Sequence, residues 1–290
     1  MVCRGHFEPM TKEIDISHLK EWIGKSETVS DYLTNSLVDR FCATLDPHLW
    51  LEQNAAPLGI QWCTTLSATQ TSDLSEDGHA KKGGFLPPVP LPARMWAGGE
   101  ITHHHNLEPD APVTRVSRVS DVVAKTGKSG SLIFVTVEQE FSSRDRLCIT
   151  ERQDYVFKDF PKADTPKPTP QVYTDTGTQM AEVSPDPVLL FRYSALTFNS
   201  HRIHYDQDYA RNTEGYPDLV VHGPLQATLL LNLAAKTLGK PPRRFSYRGL
   251  APVTLDRSFS LFHAEGKNGG KVWCETDNGV RSFVAQYSDD

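Results

Sequence analysis

Between Phe191 and Asp206 the chain gathers His201, His204, Asn199, Arg192, Arg202 and Asp206 within sixteen residues. Histidine titrates near neutral pH and can both take and return a proton, so His204 is a candidate acid/base. His201, His204, Asp206 and His222 are also residue types that ligate metals, which is a competing use. Asp206 stands just before a short helical stretch, where an aspartate serves as an N-cap. Arg202 is a solvated charge or an anion contact. Further on, His222-Gly223 opens a strongly apolar segment, and the first-turn amides of such a helix are unpaired donors at its positive end. Ser194 and Ser200 lack the Gly-x-Ser-x-Gly elbow of a hydrolase nucleophile.

The elements that must hold these groups can be read locally. From Gly223 to Gly239, leucines and alanines cover most of a helix circumference, so that helix is buried. Pro224 suits its first turn, and Gly239 with Pro241-Pro242 ends it. A short helix is expected near Asp206–Asn212. Strands are expected around Arg244–Tyr247, Phe259–Glu265, Lys271–Thr276 and Val280–Tyr287. In the first half, Ser30 is a plausible cap for a helix carrying Leu33, Leu37, Val38, Phe41 and Leu45. Val113–Val123, Leu132–Phe141 and Arg146–Phe157 read as strands. Residues 67–84 are polar and read as a surface loop, and the prolines from Pro87 to Pro92 forbid helix until about Ala93. The Pro-rich stretch from Pro161 to Val183 reads as a linker. Each half thus runs from helical material into antiparallel strands.

Composition narrows the class. The chain has 290 residues, 38% of them hydrophobic, and a net charge of −6, which supports an ordinary core and argues against a nucleic-acid partner. The apolar run from Leu225 to Leu238 is interrupted by Gln226, Thr228, Asn232 and Lys236, so no membrane span is expected. The first fifteen residues are charged and lack an apolar core, so a cytoplasmic location is expected, or the mitochondrial matrix in a eukaryote. Five scattered cysteines without a CxxC pair read as reduced packing residues. Thr126-Gly127-Lys128-Ser129 is a turn rather than a phosphate loop, because Val122 stands where that motif needs glycine. The His103-His104-His105 run reads as exposed.

The segment Asn199-Ser200-His201-Arg202-Ile203-His204-Tyr205-Asp206 resembles the signature of the MaoC-like hotdog hydratases and dehydratases of acyl thioesters. Ile203, His204 and Asp206 match the signature, Asn199 replaces its aspartate, and His201-Arg202 replaces Asn-Pro. Val220-Val221-His222-Gly223-Pro224-Leu225 resembles the family's entry into its central helix. Trp22-Ile23-Gly24-Lys25 and Arg94-Met95-Trp96-Ala97-Gly98-Gly99 resemble the non-catalytic first half of the subgroup that holds mesaconyl-C4-CoA and itaconyl-CoA hydratases and the type 2 hydroxyacyl-thioester dehydratases.

The resemblance implies an α+β double hotdog, two antiparallel sheets each wrapped on a central helix. It implies a non-catalytic domain over 12–165 and a catalytic one over 180–290. It implies a hydro-lyase acting on an acyl-CoA, as a homodimer or a monomeric double hotdog, with no cofactor and no metal. Hydration of an enoyl thioester needs a base for water, a proton for the α-carbon and donors for the enolate oxygen. His204 would move the protons and Asn199 would orient the water, since an amide cannot accept the proton itself. Gly223, with His222, would hold the thioester oxygen. Arg202, with Arg192 and Arg248 as further candidates, would meet a second substrate carboxylate. Asp206 would support His204. The competing classes are a hotdog thioesterase, disfavoured because 223–239 carries no Asp or Glu, and a non-catalytic acyl-thioester binding protein.

Overall fold

A computed structural model of the chain describes residues 14–127, 130–160, 173 and 176–290. Most of the expected linker, residues 161–172, lies outside the described residues. The first half contains α1 (Ile16–Lys20), β1 (Ser26–Leu33), α2 (Asn35–Leu45), β2 (Ala93–His103), β3 (Ala111–Gly127), β4 (Gly130–Ser143) and β5 (Arg146–Lys158). The second contains β6 (Thr178–Val183), α3 (Pro187–Thr197), α4 (Gln207–Asn212), α5 (Gly223–Leu238), β7 (Arg244–Gly249), β8 (Phe259–Gly266), β9 (Gly269–Thr276) and β10 (Arg281–Ser288).

Alternation of apolar and polar residues makes the strands, and their pairing is antiparallel throughout. They form one sheet in the order β1-β3-β4-β5-β2-β7-β10-β9-β8-β6. Each half therefore supplies five neighbouring strands, and the halves meet edge to edge where β2 pairs with β7, Gly98 opposite Arg248 and Thr102 opposite Arg244. Gly99 permits this joint, because a Cβ there would collide with the Arg152 carbonyl and the Tyr247 ring. The Tyr247 hydroxyl then donates to buried Glu151 at 2.6 Å. Trp62 Nε1 and Gln153 Nε2 also donate to that carboxylate, each at 3.0 Å. Burial raises the Glu151 pKa above the ordinary carboxylate range, against those hydrogen bonds.

The two halves treat their helices differently. In the second, α5 lies in the curve of β8, β9 and β10 and also touches β2 and β7. Its residues from Leu225 to Ala235 are all buried, and each fully buried leucine contributes roughly 1.5–3 kcal/mol. Gly239 ends it in the left-handed region, φ 71°, with its N–H on the Ala235 carbonyl. Asn232 is buried in α5 yet fully used: it donates to the Leu58 and Thr228 carbonyls at 3.0 and 2.8 Å and accepts from Trp50 N at 3.0 Å. These bonds fasten the first half to the central helix. In the first half, α2 packs chiefly against α3 rather than lying centrally in a sheet of its own. The sheet face it leaves uncovered matters for the site below.

Local capping differs from expectation at one point. Ser30 sits inside β1 and shares a hydrogen bond of 3.0 Å with Thr114 Oγ1. The cap of α2 is Thr34, which accepts from Leu37 N at 3.1 Å. Thr28, Val29 and Tyr32 favour strand up to Leu33, and Thr34 is the capping side chain nearest the apolar stripe. Thr34→Ala is expected to lower stability by about 1 kcal/mol without altering activity, measured by urea denaturation. The histidine run also differs, since His103 is buried and its Nδ1 lies 2.8 Å from the Pro242 carbonyl, while His105 is exposed. Cys63, Cys148 and Cys274 are buried free thiols and Cys42 is a half-buried one; Cys3 lies outside the described residues.

Candidate active site

The buried helix α5 and the loop before α4 bring His204 and His222 together. Their rings stack 3.6 Å apart at 18°. His204 Nδ1 lies 2.7 Å from the Val220 carbonyl, which can only accept, so the proton sits on Nδ1 and the lone pair on Nε2. Among the described residues no hydrogen bond reaches Nε2. Burial, and then the neighbouring His222 and His201, hold the His204 pKa well below 6.5. His222 Nε2 is 2.8 Å from Ser194 Oγ on α3, its Nδ1 is buried without a partner among the described residues, and burial pushes its pKa down to about 3. Both imidazoles are therefore neutral at pH 7.

Gly223 follows His222 directly as the first residue of α5. Its amide has no partner among the described residues, and a Cβ there would come within 3.2 Å of Trp96. The positive end of a sixteen-residue helix thus opens beside the stacked imidazoles. Asn199 lies on the loop after α3, where its Oδ1 accepts from His201 N at 2.9 Å and its amide nitrogen is left available.

Two expected contributors are committed elsewhere. Asp206 caps α4 by accepting from Tyr209 N at 3.0 Å, and it receives Arg202 Nη2 at 2.7 Å and Nε at 3.0 Å. The Tyr209 amide and the Arg202 guanidinium hold its carboxyl below the ordinary range. Asp206 therefore does not support His204. Arg202 also lies over the Tyr209 ring, 4.2 Å from its centroid, and donates to the Glu76 carbonyl. With its fork taken by Asp206, Arg202 is not available to a substrate carboxylate. The i, i+4 spacing of a helical turn makes that ion pair local. Arg192 and Arg248 are exposed.

A cleft of about 750 Å³ runs along this region. Ser194, Ala195, Thr197, Phe198 and Asn199 form one wall, from the second half. Arg94, Arg115, Val137, Gln139 and Tyr155 form the other, on the first-half sheet face that α2 leaves uncovered. His204, His222 and Gly223 do not line the cleft; His222 is hydrogen-bonded to Ser194, which does, and His204 meets the His201 ring edge-on at 5.6 Å.

The third side is the segment expected to be a surface loop. Arg202 N donates to the Asp77 carbonyl at 2.9 Å, and Ser200 Oγ donates to the Gly78 carbonyl at 2.5 Å. Gly78 has φ 89°, and a Cβ on it would collide with the Ser200 carbonyl, so only glycine allows this approach. The next residue, His79, faces the cleft with its ring 4.1 Å from that of His201. Asp77 Oδ2 holds His79 Nδ1 at 2.9 Å, and Glu214 Oε1 holds His201 Nε2 at 2.9 Å. Burial, with the charge of Arg94 adding to it, pushes the His79 pKa down to about 3. A carboxylate-held imidazole facing the cleft can orient or accept a proton from water. Nothing in the sequence tied it to His201 and His204, although the local Asp77-Gly78-His79 order was visible. Of metal-type residues, the set His201, His204, Asp206 and His222 does not converge. Asp77, His79 and His201 do bring one ligand atom each within 4.8 Å.

A ten-stranded antiparallel sheet wrapped on one buried helix, with histidines at that helix's N-terminus, defines a double hotdog protein with an acyl-thioester type of site. Comparison with known proteins agrees. The model of the hydroxyacyl-thioester dehydratase type 2 family matches residues 59–255, more than half of the chain. A mesaconyl-C4-CoA hydratase from Chloroflexus aurantiacus is 44% identical over 235 residues, 80% of this chain and 84% of the relative. A mitochondrial hydroxyacyl-thioester dehydratase type 2 from Schizosaccharomyces pombe is 27% identical over 89% of this chain and 96% of its own. Among solved structures, HtdX of Mycobacterium tuberculosis superposes with a TM-score of 0.67 at 19% identity, covering 90% of this chain and 98% of that one. Another protein of that organism, described as a double hotdog, gives 0.56 at 14% identity over 92% and 95%. The chain belongs to the hydroxyacyl-thioester dehydratase type 2 family, and is a carbon–oxygen hydro-lyase of acyl thioesters. Among the described residues no helix is long and apolar enough to cross a membrane.

Proposed function

We propose that this chain adds water to a short α,β-unsaturated acyl-CoA bearing a second carboxylate, with mesaconyl-C4-CoA and itaconyl-CoA as the compounds to try first. The observation that carries the chemistry is the locked tautomer of His204. Its Nδ1–H is held by the Val220 carbonyl, which leaves a free Nε2 lone pair beside the open N-terminus of α5. In the forward direction water gives a proton to Nε2 while its oxygen bonds the β-carbon. The electron pair of the double bond shifts into the bond between the α-carbon and the carbonyl carbon, and the carbonyl pair moves onto the thioester oxygen, where the Gly223 amide donates to the developing charge. His204 then returns the proton to the α-carbon. Asn199 orients the water, and His222 holds the plane of His204 by stacking.

The choice of acyl group is supported by the 44% identical relative, which is named for mesaconyl-C4-CoA. In this reading the part over 180–290 carries the reacting groups, and the part over 12–165 supplies the cleft wall and the His79 loop. Both halves come from one chain, so in this reading the reacting groups and the cleft wall belong to the same molecule.

The test is loss of enoyl-thioester absorbance with purified enzyme on mesaconyl-C4-CoA, itaconyl-CoA and crotonyl-CoA. Turnover with preference for the two dicarboxylic compounds is the expected result. Release of free thiol without hydration would indicate a thioesterase, and no reaction on any of them a binding protein.

A further inference from the structure

The cleft contains a cation to which no acceptor among the described residues is hydrogen-bonded or ion-paired. Arg94, the second residue of β2, is half-buried on the cleft wall formed by the first half, and burial lowers its pKa. Neither a carboxylate nor a hydrogen-bond acceptor pairs with its guanidinium among the described residues. The acids nearby direct their hydrogen bonds elsewhere, Glu27 to Arg115 Nη2 at 2.9 Å and Asp77 to His79 at 2.9 Å, so that Asp77 reaches Arg94 through its charge and not through a hydrogen bond. On the same wall, Arg115 Nε is buried without a partner among the described residues. A buried charge is costly unless it is paired, so an anion arriving here would relieve both partners.

We infer that Arg94 is the specificity determinant of the cleft, receiving a free carboxylate on the acyl group of the substrate. The inference rests on reading the cleft as an acyl-thioester site. Two anions could reach it in principle, the carboxylate of the acyl group or a phosphate of CoA. Arg94 is close enough to the Asp77–His79 pair for its charge to act on both, and His79 stacks on His201, which meets His204 edge-on at 5.6 Å. A group at Arg94 thus shares the cleft with His79 and Ser194, the residues that touch His201 and His222. The pantetheine arm keeps the CoA phosphates far from the reacting carbons, whereas a carboxylate on a short acyl chain is only a few bonds away. The planar fork of arginine fits a carboxylate with two parallel hydrogen bonds. Arg202, the sequence's own candidate, is excluded because Asp206 already fills its fork.

The test uses saturated thioesters, which cannot be hydrated, so that binding is read apart from turnover. Calorimetric titration of the wild type is expected to show succinyl-CoA binding about tenfold or more tightly than butyryl-CoA. Arg94→Gln should erase that preference while leaving butyryl-CoA affinity within about threefold, and Arg94→Lys should keep part of it. Equal affinity for the two ligands in the wild type overturns the inference, as does a preference that survives in Arg94→Gln. Equal loss for both ligands assigns Arg94 to a CoA phosphate and also overturns it. Turnover of crotonyl-CoA and mesaconyl-C4-CoA by the wild type, measured alongside, judges the hydratase reading separately. An enzyme that binds succinyl-CoA through Arg94 but hydrates neither would refute only that reading.

Discussion

Replacing His204 by alanine is expected to lower kcat by about 10²–10⁴ while KM changes little, because one positioned acid/base contributes on that order. The group removed is the one imidazole whose Nε2 is left free by a hydrogen bond at Nδ1 and which lies beside the α5 N-terminus. His204 is buried and stacked, so truncation leaves a cavity, and a loss of rate alone would not separate chemistry from unfolding. His204→Gln is the companion variant, since it fills most of the space and cannot shuttle the proton. Both should retain the far-UV circular dichroism of the wild type, and both should be slow. A His204→Gln enzyme within a few fold of wild-type kcat would place the proton carrier elsewhere, with His79 the next residue to change. Asn199→Ala should cost less than His204→Ala, because an orienting amide moves no proton.

Stability is expected to fall steeply as pH drops from 7.5 to 5. Burial depresses the imidazoles of His79 and His222 to about 3 and that of His103 to about 4, against an ordinary value of 6.5. Above 6.5 these groups are neutral in both the folded and unfolded chain and impose no penalty. Below 6.5 the unfolded chain takes up protons that the folded one refuses, so unfolding is favoured increasingly until the folded values near 3–4 are reached. Each such histidine contributes roughly 1.4 kcal/mol per pH unit across that window, or about 2 kcal/mol at pH 5. Glu151 has the opposite sign, because its raised pKa lets the folded state bind a proton earlier, but it is one group against several. The measurement is Tm by calorimetry at pH 7.5, 6.5, 5.5 and 5.0. A Tm that holds constant or rises toward pH 5 contradicts the assignment of neutral buried histidines. His222→Gln should flatten the slope even where it lowers Tm.

Much of the scaffold follows from the order of residues along the chain. An all-round apolar run bounded by Pro224 and Gly239 can only be a buried helix. Alternation over residues 113–123 and 132–141 can only satisfy a half-covered sheet, and the structure has α5, β3 and β4 there. Asp206 was legible as a cap, since the aspartate and the short helix it starts are neighbours in sequence. His204 and Gly223 were legible as candidates because they fall in recognisable local patterns. Such features depend on φ/ψ preference, side-chain periodicity and contacts a few residues apart, which sequence carries directly.

The tertiary structure alone decided the rest. Whether Arg202 met a substrate or Asp206 depended on which way one side chain turned from a short 3₁₀ turn. The polar loop at 67–84 looked like solvent-exposed chain by composition. It is surface chain, and its backbone also finds partners in Ser200 and Arg202, more than a hundred residues away, through a glycine whose need for a positive φ is invisible until the two stretches of chain touch. The same holds for Arg94, an ordinary strand residue until the fold sets it on the cleft wall with the nearby acids hydrogen-bonded elsewhere. Composition states how many charges a chain has, but packing alone determines which of them is left without a hydrogen-bonded partner in a cleft.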